Sequence, residues 1–262
     1  EEMGLQPEHS HHESGPGQNE VCFRYAPAVK SADNLNTFKS AVKAIAARNG
    51  LYASFMPKPL HDQSGNGLHV NMSLMRDGKN LFESPLTPDS EAGYFVAGIL
   101  AHARELTAFC NPVPNSYARL GANEAPLYIS WSRQNRSQLV RLPSASGDLC
   151  RVELRGPDPA GNPYLVIGLI LAAGLDGIAR KLPLAEPVNR NLFHPSAAVG
   201  LESLPRSLRE AITVAAQSDF IAAELPLALQ NKYFEYQTQL CHGYENAPDP
   251  AVWERTHGFL VI

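Results

Sequence analysis

The stretch Leu149-Cys150-Arg151-Val152-Glu153-Leu154-Arg155 leaves this chain few ways to fold. Side chains on a strand point alternately to opposite faces. Cys150, Val152 and Leu154 therefore share one face, and Arg151, Glu153 and Arg155 share the other. The first face asks for an apolar core. The second sets a carboxylate between two guanidinium groups, which is costly to bury without partners. Two readings fit: a solvated strand face carrying internal ion pairs, or a site where Glu153 holds a cation and the arginines hold phosphate or carboxylate oxygens.

Two more segments carry the same alternation. His69, Asn71 and Ser73 interleave with Leu68, Val70, Met72 and Leu74, and Glu20, Cys22 and Arg24 interleave with Val21, Phe23 and Tyr25. Glu13 lies a short loop upstream of Glu20. A lone histidine on a strand is ordinarily a hydrogen-bonded structural residue. Glu13, Glu20, His69 and Glu153 together make a less common set. It is rich in oxygen with a single imidazole, which suits Mg²⁺ or Mn²⁺ better than a structural Zn²⁺.

The remaining pattern bounds the fold. At 262 residues and 44% hydrophobic, the chain is long enough to bury one full core, so residues 1–262 read as one domain. A net charge of -4 with scattered Lys and Arg argues against a nucleic-acid partner. Cys22, Cys110, Cys150 and Cys241 lie far apart without CxxC spacing, which fits reduced thiols in the cytoplasm. The apolar run 164–175 is interrupted by Gly168 and Gly174 and stops at Asp176; it reads as a buried helix too short for a bilayer, so no membrane partner is expected. Helices are predicted at 33–48 (capped by Asp33, stopped by Gly50), 90–109, 162–180, 205–217 and 219–240, the last divided by Pro226. Strands are predicted at 52–56, 68–75, 127–132, 139–142 and 149–155. This mixed order points to an α+β fold: a curved, mainly antiparallel sheet around a ligand, with helices packed outside. Neither a P-loop nor a GxGxxG motif occurs, so nucleotide binding would not use a helix-N-terminal phosphate cradle.

Six segments then converge on one family. His11-His12-Glu13 through Asn19-Glu20, Phe55-Met56-Pro57-Lys58-Pro59, Gly67-Leu68-His69, Asn115-Ser116-Tyr117-Ala118-Arg119-Leu120, Asn135-Arg136-Ser137 and Arg151-Val152-Glu153-Leu154-Arg155-Gly156-Pro157-Asp158-Pro159 resemble, in order, the type I glutamine synthetases. The resemblance runs from Glu1 to about Lys181 and weakly to Trp253-Glu254. It implies the family's catalytic domain, of the glutamine synthetase/guanido kinase-like kind, with a funnel-like sheet and metals at its waist. The implied reaction uses ATP to make a γ-glutamyl phosphate from glutamate, which ammonia converts to glutamine. By motif, Glu13 and Glu20 resemble the ligands of one Mg²⁺ or Mn²⁺, and His69 and Glu153 those of another. Arg136 and Arg141 resemble the arginines on the transferring and nucleotide phosphates. Arg151, with Asn71 and Ser73, resembles further nucleotide contacts. Arg119 and Arg155 resemble the pair gripping the glutamate substrate, Gly65 the loop glycine beside it, and Glu124 the flap residue that helps deprotonate ammonium. The family assembles as rings.

The sequence also departs from that pattern. Asn71 stands where the family usually has a second histidine, and Ser64-Gly65-Asn66-Gly67 replaces the usual Asn-Gly-Ser-Gly. The segment from Arg119 to Glu124 is one residue short, and Phe193-His194 follows Asn191-Leu192 without the adenylylation tyrosine of some members. The opening Glu1-Glu2-Met3-Gly4 reads as the end of a helix in a longer protein, the family's Glu-x-Glu strand and small N-terminal domain lying upstream. On that expectation the 262 residues alone have weak metal sites, little synthetase activity and a monomeric or small-oligomer state. Three functions are consistent with the residues. The first is a glutamate–ammonia ligase, the second a γ-glutamyl ligase using an organic amine or polyamine, and the third a catalytically silent structural or binding module.

Overall fold

Ser90 and Asn162 each place a side-chain oxygen just ahead of an apolar run, where it can accept from the otherwise unpaired N–H groups of a first helical turn. In the computed structural model, which describes residues 3–262, both do so. Ser90 Oγ accepts from the Gly93 amide to start α2, and Asn162 Oδ1 accepts from Tyr164 and Leu165 to start α5. The reading of Glu1-Glu2 as a helix end lies outside the described residues.

In chain order the elements begin with a hairpin of β1 (Pro7–His12) and β2 (Asn19–Phe23), followed by α1 (Ala28–Arg48). Next come β3 (Val70–Met72) and the small hairpin β4 (Met75–Arg76) and β5 (Lys79–Asn80). Then follow α2 (Glu91–Ala101), α3 (Ala103–Cys110), α4 (Ser116–Arg119), β6 (Trp131–Arg133), β7 (Val140–Leu142) and β8 (Val152–Leu154). The chain continues through α5 (Pro163–Arg180), α6 (Leu208–Ala216), α7 (Asp219–Glu224), α8 (Leu227–Glu245) and α9 (Pro250–Glu254).

The central sheet has the order β3-β8-β7-β6, antiparallel except for the β6–β7 pair. Its register lines up Asn71, Glu153, Arg141 and Ser132 across four strands. The intervening Val140, Val152 and Leu154 point the other way, into a core shared with α2, α3 and α5. The alternation read from residues 149–155 is thus obeyed. The polar row faces the site and the apolar row faces the helices.

Several boundaries differ from expectation. Residues 52–56 form no strand; the segment is held instead by single bonds, such as the Phe55 amide to the Ile262 carbonyl. Helix α1 begins after Pro27, and Asp33, inside it, accepts from the Tyr164 hydroxyl at 2.7 Å rather than capping. The single helix expected at 90–109 breaks at His102 into α2 and α3. His102 is buried, bonded on one nitrogen to Glu105 and on the other to Asp176 at 2.8 Å. Strand 127–132 shortens to Trp131–Arg133, Tyr128 keeping only an isolated bridge to Ser203. Pro226 does divide α7 from α8. The β1–β2 hairpin stands apart from the central sheet.

Helix α5, with 18 residues and a mean hydropathy of 1.5, is long and apolar enough to cross a membrane by length and composition alone, and its bounds match the helix expected at 162–180. Its contacts explain the apolarity. Glycines let α2 and α5 meet backbone to backbone: a Cβ on Gly98 would lie 2.1 Å from the Ala173 carbonyl oxygen, and one on Gly177 would lie 2.2 Å from that of Tyr94. Both obstacles are main chain and cannot rotate away. Gly98→Ala and Gly177→Ala should each cost about 1–3 kcal/mol through overpacking. Gly168→Ala on the exposed side of α5, where a Cβ meets nothing within 4 Å, should be neutral or stabilising by about 0.5–1 kcal/mol. Urea unfolding of the three variants measures both effects.

Candidate active site

Glu153 is the most heavily partnered carboxylate on the polar face. Arg141, directly across in β7, donates Nε–H to Glu153 Oε2 at 2.6 Å, and Arg155 Nη1 donates to the same oxygen at 3.2 Å. The other oxygen, Oε1, faces His69 Nδ1 at 3.5 Å. Burial alone would raise the Glu153 pKa. The Arg141 hydrogen bond, with the charges of Arg155 and Arg141, holds it below the usual carboxylate range. Burial, with the Arg155 charge, pushes the His69 imidazole down to about 4 even though Glu153 pulls the other way. His69 is therefore neutral at physiological pH and offers a free nitrogen lone pair.

Arg119 closes α4 and is buried beneath the loop at 64–67. Its guanidinium donates to the carbonyls of Gly156 at 2.7 Å and Arg155 at 3.1 Å. Desolvation lowers its pKa to about 10, which leaves it charged, and the buried Asp158 carboxylate offsets part of that cost. The glycines above it have packing reasons: a Cβ on Gly65 would sit 2.5 Å from the Pro57 carbonyl oxygen, and one on Gly67 would sit 2.6 Å from Arg119 Nη2. Asn66 donates from the same loop to the Met56 carbonyl, and Asn115 holds the neighbouring Lys58 backbone at both its N–H and its carbonyl. Arg155 is equally buried, and its Nε–H has no partner among the described residues.

The β1–β2 hairpin supplies the second acidic group. Its register sets His11 opposite Glu20, and Glu13 follows two residues after His11. The ligand atoms of His11, Glu13 and Glu20 lie within 4.8 Å of one another. Gln18, in the hairpin turn, donates to the Gly65 carbonyl at 3.0 Å and to Asn66 Oδ1 at 2.8 Å, which docks the hairpin on the loop. Glu20 is close enough for its charge to act on His69. Glu13 and Glu20 differ from Glu153 in one respect: among the described residues they have no Lys or Arg partner; His11 lies beside both, and the Cys22 thiol donates to Glu20 Oε1 at 3.1 Å.

The structure thus gathers Glu13 with Glu20, and His69 with Glu153, Arg141 and Arg155. Arg119 and Gly65 lie together alongside. Arg151 lies at the edge, its Nε–H donating to Asn71 Oδ1 at 3.0 Å. Arg136, Glu124 and Ser73 are exposed and make no side-chain hydrogen bond or ion pair among the described residues. Sequence reasoning named His11 within the His11-His12-Glu13 motif but gave it no role. The signal was available: the Gly15–Gly17 turn fixes a hairpin register that puts it across from Glu20. It also missed Gln18.

The depressed His69 pKa has a direct consequence. In metal-free protein its NMR titration should centre near pH 4, well below the ordinary 6.5. Because the folded state disfavours the charged ring, His69's contribution to stability is intact above about pH 6.5 and declines as the pH falls toward 4. A midpoint near 6.5 would contradict the described environment.

The family model for "Glutamine synthetase, catalytic domain" matches residues 1–256. Glutamine synthetase from Methanosarcina mazei is 51% identical over 233 residues, covering 86% of this chain and 52% of that protein. The enzyme of that name from Staphylococcus aureus strain MW2 is 46% identical over 241 residues, covering 89% and 54%. The solved structure of a GmaS/ADP complex superposes with a TM-score of 0.86 at 35% identity, covering 98% of this chain and 60% of that one. Apo GmaS gives 0.86 at 36% identity, covering 97% and 59%. The chain spans about half the length of the curated relatives it matches. With the motifs in order, the polar row of the sheet and these likenesses in hand, the chain belongs to the glutamine synthetase catalytic-domain family.

Proposed function

We propose that this chain carries the catalytic machinery of an ATP-dependent ligase that joins ammonia to glutamate through a γ-glutamyl phosphate, giving glutamine. The observation that carries the reading is Glu153, buried yet held ionised by Arg141 and Arg155 beside the neutral nitrogen of His69. Relatives named glutamine synthetase at 51% and 46% identity support it, as does likeness to a protein whose structure holds ADP.

The residues present fit divalent cations. Glu13 and Glu20 are carboxylates without a basic Lys or Arg partner among the described residues, and His69 with Glu153 offers a nitrogen and an oxygen 3.5 Å apart. Mg²⁺ or Mn²⁺ held there would neutralise the nucleotide phosphates and the oxygens of the transferring group. On this reading Arg136 and Arg141 hold phosphate oxygens, and Arg151, with Asn71 and Ser73, orients the nucleotide. The unpartnered Arg155 Nε–H and the Arg119 guanidinium receive the substrate carboxylate beside the Gly65 backbone. Glu124 takes a proton from ammonium. The freed ammonia then attacks the γ-carbonyl carbon, forming C–N as the carbon–oxygen bond to phosphate breaks, and the nitrogen passes a second proton to the departing phosphate to leave the neutral amide. Partners on this reading are small molecules.

A second reading, ligation of an organic amine, is favoured by the short, open segment between Arg119 and an exposed Glu124. Assaying the protein that carries this chain with ATP, glutamate and a panel of amines separates the two. Phosphate release with ammonia is expected; release only with alkylamines or polyamines would overturn the first reading. Arg136 gives a sharper test. With no internal partner, Arg136→Ala should change stability by no more than about 0.5 kcal/mol, while kcat falls roughly 10²–10³-fold through loss of a charge-stabilising donor. Unchanged turnover would remove Arg136 from the mechanism.

A further inference from the structure

We propose that Asp158 is a positioning residue for substrate binding: it balances the buried charge of Arg119 and, through Asn111 and the Gly156 carbonyl, fixes the plane of the Arg119 guanidinium. The inference rests on the reading of Arg119 as a ligand of the substrate carboxylate and adds the residue that holds it in place.

The chain brings the two side chains together behind the loop at 64–67. Arg119 ends α4, Asp158 lies four residues past the end of β8, and both are buried. Arg119 donates through Nη1 to the Gly156 carbonyl at 2.7 Å and through Nη2 to the Arg155 carbonyl at 3.1 Å. The Gly156 carbonyl also accepts from Asn111 Nδ2 at 3.0 Å, and the same nitrogen donates to Asp158 Oδ2 at 2.9 Å. A continuous run of hydrogen bonds therefore links Arg119, Gly156, Asn111 and Asp158. The far end is anchored as well: Asp158 Oδ1 accepts from the Ala160 amide at 3.0 Å, and the Asp158 amide donates to the Cys110 carbonyl at 3.0 Å. A planar guanidinium held at two carbonyls has its orientation set, and its other N–H groups are left for an incoming carboxylate.

Hydrogen bonding alone does not explain a carboxylate at 158. A neutral acceptor would serve Asn111 and Ala160, and a charge taken out of water is costly. Burial raises the Asp158 pKa, and the Arg119 charge is the largest influence pulling it back. Burial lowers the Arg119 pKa, Asp158 is the largest influence raising it, and the Arg155 charge lowers it further. Each group thus relieves the burial of the other. Among the described residues Asp158 forms no direct ion pair, and its link to the arginine runs through Asn111. A direct pair would satisfy the guanidinium before any substrate arrived; the indirect one keeps it charged and short of a partner. Lys39 is the other cation that feels Asp158, its Nζ donating to the Pro159 carbonyl at 2.6 Å.

Steady-state kinetics on the protein that carries this chain tests the inference. Asp158→Asn keeps the shape and the acceptor for Ala160. It should raise the KM for glutamate at least about tenfold, the scale of one hydrogen bond to a charged group, and leave the KM for ATP within about twofold. Lys39→Met should leave both KM values within about twofold. Asn111→Ala breaks the link without altering charge and should raise the glutamate KM roughly threefold. If Asp158→Asn fails to fold, that variant carries the test, and an unchanged glutamate KM in it overturns the proposal. A rise in both KM values together in Asp158→Asn, or an equal rise in Lys39→Met, would mark a purely structural role and overturn it too. Arg119→Lys separates the two readings. If it raises the glutamate KM while Asp158→Asn does not, the role of Asp158 falls and that of Arg119 stands. If it leaves the glutamate KM unchanged, both fall.

Discussion

The interaction on which the rest depends is the clamp around Glu153. A carboxylate taken out of water is normally driven toward its neutral form. Here Arg141 from the neighbouring strand and Arg155 from the same strand both address Oε2, which leaves Oε1 turned toward His69. The carboxylate keeps its charge, the imidazole keeps its lone pair, and two guanidinium groups are fixed at one edge of the cluster. Each partner sits in place because of sheet register: Arg141 opposite Glu153 on one side and Asn71 opposite it on the other. A slip of one residue would turn this whole set into the core.

That register is protected from behind. The sheet's apolar face rests on α2, α3 and α5, and the α2–α5 contact is made at main-chain distance through Gly98 and Gly177. Close-packed interiors transmit small displacements instead of absorbing them. The glycines are therefore part of what positions Glu153, although they lie on the far side of the sheet from it. From the front, Gln18 ties the β1–β2 hairpin to Gly65 and Asn66, so both acidic groups refer to one loop.

The two candidate cation sites differ in how their charge is met. Glu153 is compensated by the protein itself, so its neighbourhood is ordered before any ion arrives. Among the described residues Glu13 and Glu20 have no Lys or Arg partner, only the His11 imidazole and, for Glu20, the Cys22 thiol. The first group is rigid and buried, and the second is more open and shaped by a two-stranded hairpin. A small hairpin is marginal by itself, which makes the Gln18 bonds and the Phe23–Phe38 edge contact at 5.0 Å important for its position.

The sequence alone determined which residues share a face, because a strand has period 2 whatever it packs against. Glu153 with Arg151 and Arg155, and His69 with Asn71, were legible on that ground, whereas Ser73 falls beyond the end of β3. The helix starts near Ser90 and Asn162 were legible from the sequence, and the Pro226 break from the missing N–H of proline. The family followed from the order of the motifs. What tertiary structure decided was which faces meet. Arg141 became the main partner of Glu153 through strand pairing between residues 12 apart in sequence. Arg119 was drawn into the interior by the carbonyls of Arg155 and Gly156, and Asp33 was diverted from a cap to Tyr164. Where helix 90–109 divides, His102 is bonded to Asp176, 74 positions away. The role of His11 as neighbour to two carboxylates required the hairpin register. Local propensity acts over a few residues, whereas these pairings are set by long-range contacts whose energies no short window of sequence contains.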